Sequence, residues 1–508
     1  MPDHVRRRKV WILPAVLMTA AAYLYVNLFR WPRIPYLLGG DQVFFWTDAQ
    51  RMLHGERIYQ DFFRFTPPGT DLVYLAAFKI FGPRLWVTNA IVLVLGVALC
   101  WMCFSIASQL MARTWAALSA LLFLVFIYGP LLNGTHHWFS LLAVMSAARV
   151  LMSQRTTFRL TIAGGLFGIA SFFTQTAGVV CLIALLIFLV LEGRHSQQAW
   201  STIVRHQFVL LIAFILTVSA LNVYFIATMG WGPIWEQQVK YPHYQTYWFG
   251  RLFPGLPDKL TSRSLPRLVP SLFVYSLLPV IYPLVLWRCW YRRHDPESPD
   301  TGKLTLVALI GLALLLEIIP AVNWLRAYAV SMPGLILLVW AATRHKRMRS
   351  YPGVLGSILI ACLAAKQTWS KYHLRDAIVQ LPAGLVVLSP EKQELYSWIR
   401  QHTHTGDYFL ATFWPGVYLP LALRSPVFAE MLLNSDWTRP EYVELAIRQL
   451  EERQVTYILW TPRLNGPDDP ARPWEDHLGP MRTYLLSRYK QVHVFADGDQ
   501  IWQRNQTP

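Results

Sequence analysis

The sequence is poor in charge and cysteine for its length, and it shows no internal repeat or low-complexity segment. Only 15% of its 508 residues are charged, whereas 54% are hydrophobic and 14% aromatic. A soluble chain of this length needs more charge to cover its surface, which argues against a large soluble protein. The five cysteines all lie in or beside apolar stretches, so no disulfide is expected in the polar loops.

Long apolar blocks take up most of the first 371 residues. A helix needs about 20 mostly apolar residues to cross the hydrocarbon core of a bilayer. The composition therefore predicts a mainly α, polytopic membrane protein with about eleven transmembrane helices. These predicted helices begin near Trp11, Leu85, Trp115, His137, Leu160, Ala177, Gln207, Leu268, Leu304, Ala327 and Tyr351.

The distribution of basic residues predicts the orientation in the membrane. Arg6, Arg7, Arg8 and Lys9 precede the first apolar block, and further Lys and Arg residues cluster in every second short turn. Short cytoplasmic segments carry such an excess. The N-terminus is therefore predicted to be cytoplasmic, and the C-terminal region to be extracytoplasmic (periplasmic) at a cell (inner) membrane.

The net charge of +17 does not indicate a nucleic-acid partner. The tail after Tyr372 contains 13 basic and 16 acidic residues, so the positive charge belongs to the membrane part. The bias of the cytoplasmic turns accounts for most of this excess, and no basic groove for phosphates is needed to explain it. No nucleic-acid binding is predicted.

Two domains are predicted: a transmembrane domain over 1–371, with a first extracytoplasmic loop over 30–83, and an extracytoplasmic α/β domain over 372–508. In the second domain, helices are predicted over 389–402, 439–453 and 473–489, and strands over 407–413 and 455–461. A hairpin is predicted over 491–504, around Asp497-Gly498-Asp499. A further long outer loop is predicted over 230–267.

The first loop is predicted to contain two helices. Residues 42–54 repeat apolar side chains at helical spacing, and Gly55 is positioned to end the helix. Such an amphipathic helix is typical of the membrane interface, with its apolar face toward lipid. A second helical stretch follows Pro67-Pro68-Gly69. Asp41 lies where the chain leaves the membrane, a depth at which an acidic residue is costly unless it has a partner or a function.

These motifs resemble the first periplasmic loop of GT-C glycosyltransferases, in particular the protein-mannosyltransferase-like branch (family 39) that includes the lipid A aminoarabinose transferases. The matching segments are Asp41-Gln42, residues 48–55, Tyr59-Gln60-Asp61, Pro67-Pro68-Gly69, Ile318-Ile319-Pro320, Arg326-Ala327-Tyr328 and Met332-Pro333-Gly334. The layout of many helices, a large first loop and an outer C-terminal domain is similar as well.

The resemblance implies an inverting glycosyltransferase that moves a hexose or pentose from a polyprenyl phosphate to an extracytoplasmic acceptor. Asp41 would be the general base, with a structural helix cap as the alternative. Asp48, in the same run, is predicted as a second catalytic carboxylate. Arg326 would bind the donor phosphate, with a membrane-interface anchor as the alternative. Arg64 is predicted as a second phosphate ligand.

The sequence departs from this pattern at two positions. Gln42 stands where the aminoarabinose transferases have Glu, and Thr66 stands where they have Lys before the two prolines. Neither departure favours one sugar over another. Further substrate contacts are predicted at Tyr59, Asp61, His137, Tyr244 and Trp248, where the aromatic residues of the second long loop would either stack on sugar rings or mark the membrane interface.

The predicted partners are a polyprenyl-phosphate-linked sugar, membrane lipid and an acceptor that is a protein, lipid or glycan. No metal ligands are predicted and no cofactor is indicated, although the sequence leaves a divalent metal open. The alternative function is a transporter or flippase of a lipid-linked or small substrate. Transporters of this size usually carry inverted repeats and intramembrane charge, whereas the only acidic residue deep in a late apolar block is Glu317. A non-catalytic relative of the same fold is a third possibility.

Overall fold

A computed structural model describes residues 11–243, 277–291, 301–319, 324–344, 350–373 and 376–505. Helices dominate these residues. In the N-terminal three quarters of the chain they are Ile12–Leu28, Gln42–Leu53, Gly69–Phe81, Leu85–Ala107, Arg113–Leu122, His136–Leu151, Thr157–Phe173, Gln175–His195, Trp200–Met229, Trp231–Trp235, Leu278–Tyr291, Thr301–Ile318, Trp324–Ala329, Met332–Thr343 and Ser350–His373.

Each of the eleven apolar stretches contains at least one of these helices, so the predicted mainly α class is confirmed; the predicted start near Leu268 lies outside the described residues. Within the described residues, five helical segments are long and apolar enough to cross a membrane: Leu85–Ala107, Arg113–Leu131, Gln175–His195, Trp200–Met229 and Thr301–Ile318. Ile12–Leu28, Thr157–Phe173 and Met332–Thr343 are shorter apolar helices. The chain is therefore a multi-pass membrane protein. The direction in which each helix crosses stays a prediction.

The first of two compact units comprises residues 1–27, 92–224 and 248–371. Its helices approach closely where small residues face a neighbour. At Gly178, in the Gln175–His195 helix, an added Cβ would overlap the carbonyl oxygen of Phe167 and the backbone nitrogen of Ser171. Because this contact is with backbone, it cannot yield by a side-chain rotation, so only glycine allows the helix ends to meet this closely.

The second unit comprises residues 28–91, 225–247 and 372–508. Its main sheet has four strands in the spatial order Leu410–Ala411, Tyr457–Trp460, Gln500–Arg504 and Tyr489–Val494. The first pair is parallel and the other two pairs are antiparallel. Helices Pro390–His402, Pro440–Glu452 and Gly479–Arg488 complete the C-terminal part.

An apolar core joins this sheet to two of the helices. Ile458 and Trp460 on the central strand are buried with Val443 and Leu450 of one helix and Leu485 of another. The side chains alternate along the strand, so one face of the sheet supplies the core. The predicted α/β character of this region and its closing hairpin are confirmed. Residues 473–478 are an exception, because only a short 3-10 turn forms there before the helix begins at Gly479.

Two pairings in this unit were not predicted. Strands Ala377–Leu381 and Gly384–Leu388 form an antiparallel hairpin whose turn includes Gly384 at a φ of +123°. Strands Phe29–Arg30 and Ile34–Pro35 pair where the chain leaves the first apolar helix. Tyr36 then forms a parallel bridge with Val387, which ties the start of the first loop to the hairpin.

Candidate active site

Asp41 lies at a tight turn just before the Gln42–Leu53 helix. Gly40 adopts a φ of +77°, a left-handed conformation that glycine adopts without a steric penalty. Asp41 is exposed and occupies the N-cap position, but its side chain makes no capping hydrogen bond. The structural cap that was the alternative for this carboxylate is therefore not formed.

Gln42, one of the two departures from the family pattern, fixes this turn from the inside. Its side chain is fully buried, and its Nε2 donates to the carbonyl oxygen of Gly39 at 2.8 Å. Its Oε1 accepts a hydrogen bond from the hydroxyl of Tyr74 at 3.4 Å. An ionised glutamate could accept from Tyr74 but could not donate to Gly39, so the amide suits this turn.

The Gln42–Leu53 helix ends one residue before the predicted position, and the prediction that its apolar face lies toward lipid is wrong, because Phe45, Trp46 and Ala49 are buried within the protein. Its polar face is buried as well. Thr47, Asp48, Gln50 and Arg51 are all buried. Backbone carbonyl groups of the 415–430 segment cover them: Gln50 donates to Leu423, and Arg51 donates to Val427 at 2.9 Å. The polar side chains thus satisfy the backbone of the C-terminal region rather than water.

Arg64 joins the two halves of the first loop through a buried ion cluster. Its Nε lies 3.2 Å from Asp48 Oδ2, and its Nη2 lies 3.5 Å from Asp71 Oδ1. Both carboxylates are fully buried, and the guanidinium carbon lies 4.1 Å from the centre of the Phe45 ring. This arrangement holds the Gln42–Leu53 and Gly69–Phe81 helices together and places Arg64 between two buried acids.

The polar atoms of this cluster are not fully satisfied within the described residues. The contacts to Arg64 are at ion-pair distance, yet neither oxygen of Asp48 or of Asp71 accepts an aligned hydrogen bond there. Burial raises the pKa of both carboxyl groups above the usual range, and Arg64 opposes that shift. Burial also raises the pKa of Glu430, and the nearby Asp48 carboxylate adds to the effect.

The raised pKa values predict a pH-dependent stability that Asp48→Asn should reduce. A group whose pKa is higher in the folded than in the unfolded state binds more protons when folded, so its stabilising contribution is lost as the pH rises from about 4 through the raised pKa. The wild-type protein should lose thermal stability in detergent over this range, and the variant should lose less. A constant difference in Tm between the two proteins from pH 5 to 8.5 would contradict the prediction.

A second buried arginine links the first loop to the C-terminal region. Arg51 Nε donates to Glu56 Oε2 at 2.8 Å, and its Nη1 donates to Glu430 Oε1 at 3.1 Å. Its Nη2 also donates to the carbonyl oxygen of Asp61 at 3.2 Å. Arg51 and Glu430 are each almost inaccessible to solvent. Arg51 therefore connects the first loop to the C-terminal region. Its several partners compensate for the cost of burying its charge.

Tyr59 and Asp61, predicted as substrate contacts, differ in their surroundings. Tyr59 is buried at a φ of +69°, and its hydroxyl donates to the carbonyl oxygen of Thr66 and accepts from Gln238. A non-glycine residue in this conformation needs strong surrounding support. The carboxylate of Asp61 is partly exposed and accepts the backbone N–H of Arg57 at 2.7 Å. Asp61 thus remains accessible, whereas Tyr59 is enclosed.

In the first unit, Arg326 and His137 lie on helices that pack together. The Trp324–Ala329 helix, which carries Arg326, contacts the His136–Leu151 helix, whose second residue is His137, and the Thr301–Ile318 helix, which ends beside Glu317. Glu317 Oε1 accepts a hydrogen bond from Thr176 at 2.5 Å. His137 is buried, and the ring of His136 lies 3.8 Å from it. Two of the predicted site residues are thus close together.

Tyr244 and Trp248 lie outside the described residues. Within the described ranges, no group of three or more His, Cys, Asp or Glu side chains could hold a metal ion. Asp71 and Glu430 are buried carboxylates of these clusters that were not predicted from the sequence. Asp71 gave a signal, since an acidic residue within the apolar helix after Pro67-Pro68-Gly69 needs a buried partner. Glu430 gave none, because its partners come from a distant part of the chain.

Comparisons with known proteins find similarity only at the level of structure. No protein-family model and no curated protein matches the sequence. The solved structure of ArnT from Cupriavidus metallidurans bound to undecaprenyl phosphate matches with a TM-score of 0.61 at 11% identity, over 96% of this chain and 97% of that one. Archaeoglobus fulgidus AglB, in complex with an inhibitory peptide and a dolichol-phosphate, matches with a TM-score of 0.53 at 14% identity, over 98% and 75%.

Proposed function

We propose that this chain, whose fold is that of the GT-C membrane glycosyltransferases, transfers a sugar from a polyprenyl phosphate to an acceptor outside the cytoplasm. The matched ArnT and AglB structures contain undecaprenyl phosphate and dolichol-phosphate, which supports a lipid phosphate as the donor's carrier. The proposal rests mainly on Asp41, an exposed carboxylate on a turn that the hydrogen bonds of the buried Gln42 side chain hold in place.

Asp41 is the general base of the proposed reaction. It removes the proton of an acceptor hydroxyl while that oxygen attacks the anomeric carbon of the sugar. The bond from the anomeric carbon to the phosphate oxygen breaks, and polyprenyl phosphate leaves with the electron pair. Attack opposite the leaving group inverts the anomeric configuration. The side chain of Gln42 keeps the turn closed, so little reorganisation is needed to orient the base.

Arg326 is the proposed ligand of the departing phosphate. A guanidinium binds phosphate oxygens through parallel hydrogen bonds, and its charge stabilises the anion that forms as the bond breaks. The helices that carry Glu317 and His137 pack against the helix of Arg326, which supports a fixed position for this part of the chain.

Asp48 and Arg64 act as positioning residues in this proposal. Both side chains are buried and neutralise each other, so the proposal gives them no direct contact with donor or acceptor. Their cluster with Asp71 fixes the helix that begins at Asp41. Loss of either charge would then affect catalysis through the orientation of that helix.

A flippase is the alternative function. It would need polar or charged groups along a path through the membrane-spanning helices. Most ion pairs among the described residues belong instead to the first loop and the C-terminal region, as in the Arg51 and Arg64 clusters, whereas Arg155–Glu192 is an ion pair of the first unit. This distribution favours chemistry at the surface over transport.

Arg326→Ala tests the phosphate site. Loss of one charge-assisted interaction of about 1.5–3 kcal/mol predicts a fall in transfer of roughly 10- to 150-fold at low donor concentration. Activity should be measured in membranes with a panel of hexosyl and pentosyl polyprenyl phosphates. Because the defect is in donor binding, a high donor concentration should restore much of the rate.

Arg344→Ala is the matched control, since this exposed arginine follows the Met332–Thr343 helix. It should transfer at the wild-type rate. If the transfer rates of the Arg326 variant and the wild type depend on donor concentration in the same way, Arg326 does not bind the donor phosphate. Absence of transfer by the wild type from every donor in the panel would overturn the proposed function itself.

A further inference from the structure

A cleft separate from the Asp41 turn lies between the first loop and the C-terminal part of the second unit. Its volume is about 410 Å³, within the range of small-ligand sites. Glu56, Gln60 and Asp61 line one wall. The opposite wall contains Arg424, Phe428, Leu445, Gln449 and Arg453. Six of these eight side chains are polar, so the cleft is suited to a ligand with many hydrogen-bonding groups.

The two arginines are held in position by the same aromatic ring. The guanidinium carbons of Arg424 and Arg453 lie 5.0 Å and 4.8 Å from the centre of the Tyr408 ring. Arg453 also donates to the carbonyl oxygen of Pro426 at 2.8 Å. Such stacking fixes the plane of a guanidinium and leaves its edge available for hydrogen bonds. The arginines are therefore pre-positioned.

Arg424 has hydrogen-bonding capacity that the protein does not use. Its nearest charged partner is Glu56 at 3.8 Å, beyond hydrogen-bond distance, and its buried Nε has no hydrogen-bond partner among the described residues. A guanidinium has five N–H donors. The side chain is partly exposed at the wall of the cleft, so its outer Nη groups can meet the acceptors of a ligand, whereas the enclosed Nε cannot.

The charges of the cleft favour a neutral ligand. The lining has two carboxylates, Glu56 and Asp61, and two arginines, so both signs of charge are present and neither dominates the lining, although Glu56 also pairs with Arg51 behind the wall. The lining nevertheless offers N–H donors and carboxylate acceptors. The side-chain amides of Gln60 and Gln449 can both donate and accept hydrogen bonds. Sugar hydroxyl groups also donate and accept at once. The half-buried Phe428 ring provides an apolar surface for the C–H face of a sugar.

We propose that this cleft binds a neutral glycan segment, so that the acceptor of the transfer is itself a carbohydrate. That the acceptor is a carbohydrate rests on the proposed function. That the cleft binds a glycan does not. A peptide is less suited to the cleft, because its recognition commonly uses an open sheet edge or apolar side-chain pockets. Leu445 is the only aliphatic residue in the lining.

Ligand-observed NMR of the full-length protein in nanodiscs tests this inference. The probes are trisaccharides of mannose, of N-acetylglucosamine and of arabinose, with inorganic phosphate and trialanine as the comparison ligands. At least one trisaccharide should bind the wild type. Arg424→Ala should weaken its binding about tenfold or more, because a hydrogen bond from a charged donor is lost.

Two further variants separate binding from folding. Gln60→Ala removes an exposed amide from the opposite wall and should weaken binding severalfold without affecting the fold. Arg448→Ala removes an exposed arginine from the Pro440–Glu452 helix, outside the lining, and should bind like wild type. Failure of all three trisaccharides to bind the wild type would overturn the inference, as would equal binding by the Arg424, Gln60 and Arg448 variants.

The comparison ligands and a transfer assay complete the test. If phosphate or trialanine binds the cleft and the trisaccharides do not, the site is an anion or peptide site and the inference fails. If the trisaccharides bind as expected but no sugar transfer is detected from any donor, the proposed function fails while the cleft remains a glycan site. Transfer to a carbohydrate acceptor that Arg424→Ala weakens would support both.

Discussion

Asp41→Asn should lower the rate of sugar transfer by about 10²–10⁴-fold, the usual contribution of a general base. The variant keeps the size of the side chain but loses its negative charge and its ability to take up a proton. Because Asp41 is exposed and asparagine has nearly the same shape, the fold should not change. The rate should be measured at saturating donor and acceptor, so that the loss is one of kcat.

Glu444→Gln provides the matched control for this substitution. Glu444 is an exposed carboxylate on the Pro440–Glu452 helix of the same compact unit, and its replacement should leave the transfer rate unchanged. A folded Asp41→Asn protein with wild-type kcat would mean that Asp41 is not the base. Unchanged kcat with a raised KM would assign Asp41 to substrate binding instead.

Arg51→Met should lower the free energy of unfolding of the second unit by about 3–5 kcal/mol, because it leaves Glu430 buried without its cation. Methionine retains much of the side-chain volume, so the effect is mainly electrostatic. Arg51 also donates to the carbonyl oxygens of Val427 and Asp61, and these acceptors lose their partner too. Thermal and denaturant unfolding in detergent measure the loss.

A double variant tests whether the buried charge causes this loss. Arg51→Met combined with Glu430→Gln removes both members of the ion pair and should recover part of the stability lost in the single variant. Arg448→Met, at an exposed position of the same unit, should change stability by less than about 0.5 kcal/mol. If the double variant is less stable than Arg51→Met, the ion pair is not the source of the effect.

Local sequence signals predicted the first-loop helix well but not its environment. The helical spacing of Phe45, Trp46, Ala49 and Met52, with Gly55 behind them, is a property of neighbouring residues, and the observed helix ends within one residue of the predicted position. Which face meets water depends on the 415–430 segment, far away in sequence. A polar face that binds backbone carbonyl groups looks the same in sequence as one that binds water.

The same limit applies to the candidate site. The fold class followed from apolar segment length and from motifs near Asp41, whereas the Asp48, Arg64 and Asp71 cluster requires a turn that folds back between two helices. Arg64 was predicted to bind phosphate because it lies near the family's motif. Its partners became evident only from distances of 3.2 Å and 3.5 Å to two buried acids.

In the C-terminal region, the strands with β-branched and aromatic residues were identified, and the Ala377–Leu381 and Gly384–Leu388 hairpin was missed. Its signal was present, since Pro382-Ala383-Gly384 is a turn sequence between two apolar runs. The run continues directly from the last apolar helix, which obscured the change from helical to strand periodicity. The parallel pairing of Leu410–Ala411 with Tyr457–Trp460 depends on packing across about 47 residues and has no local signal.

The most direct test of the account is the fate of a labelled polyprenyl-phosphate sugar supplied to the protein in proteoliposomes with a glycan acceptor. A glycosyltransferase should release one polyprenyl phosphate for each sugar joined to the acceptor, with inverted anomeric configuration, and Asp41→Asn should abolish both products together. Movement of the intact lipid-linked sugar across the bilayer, with no polyprenyl phosphate released, would contradict the account and establish transport instead.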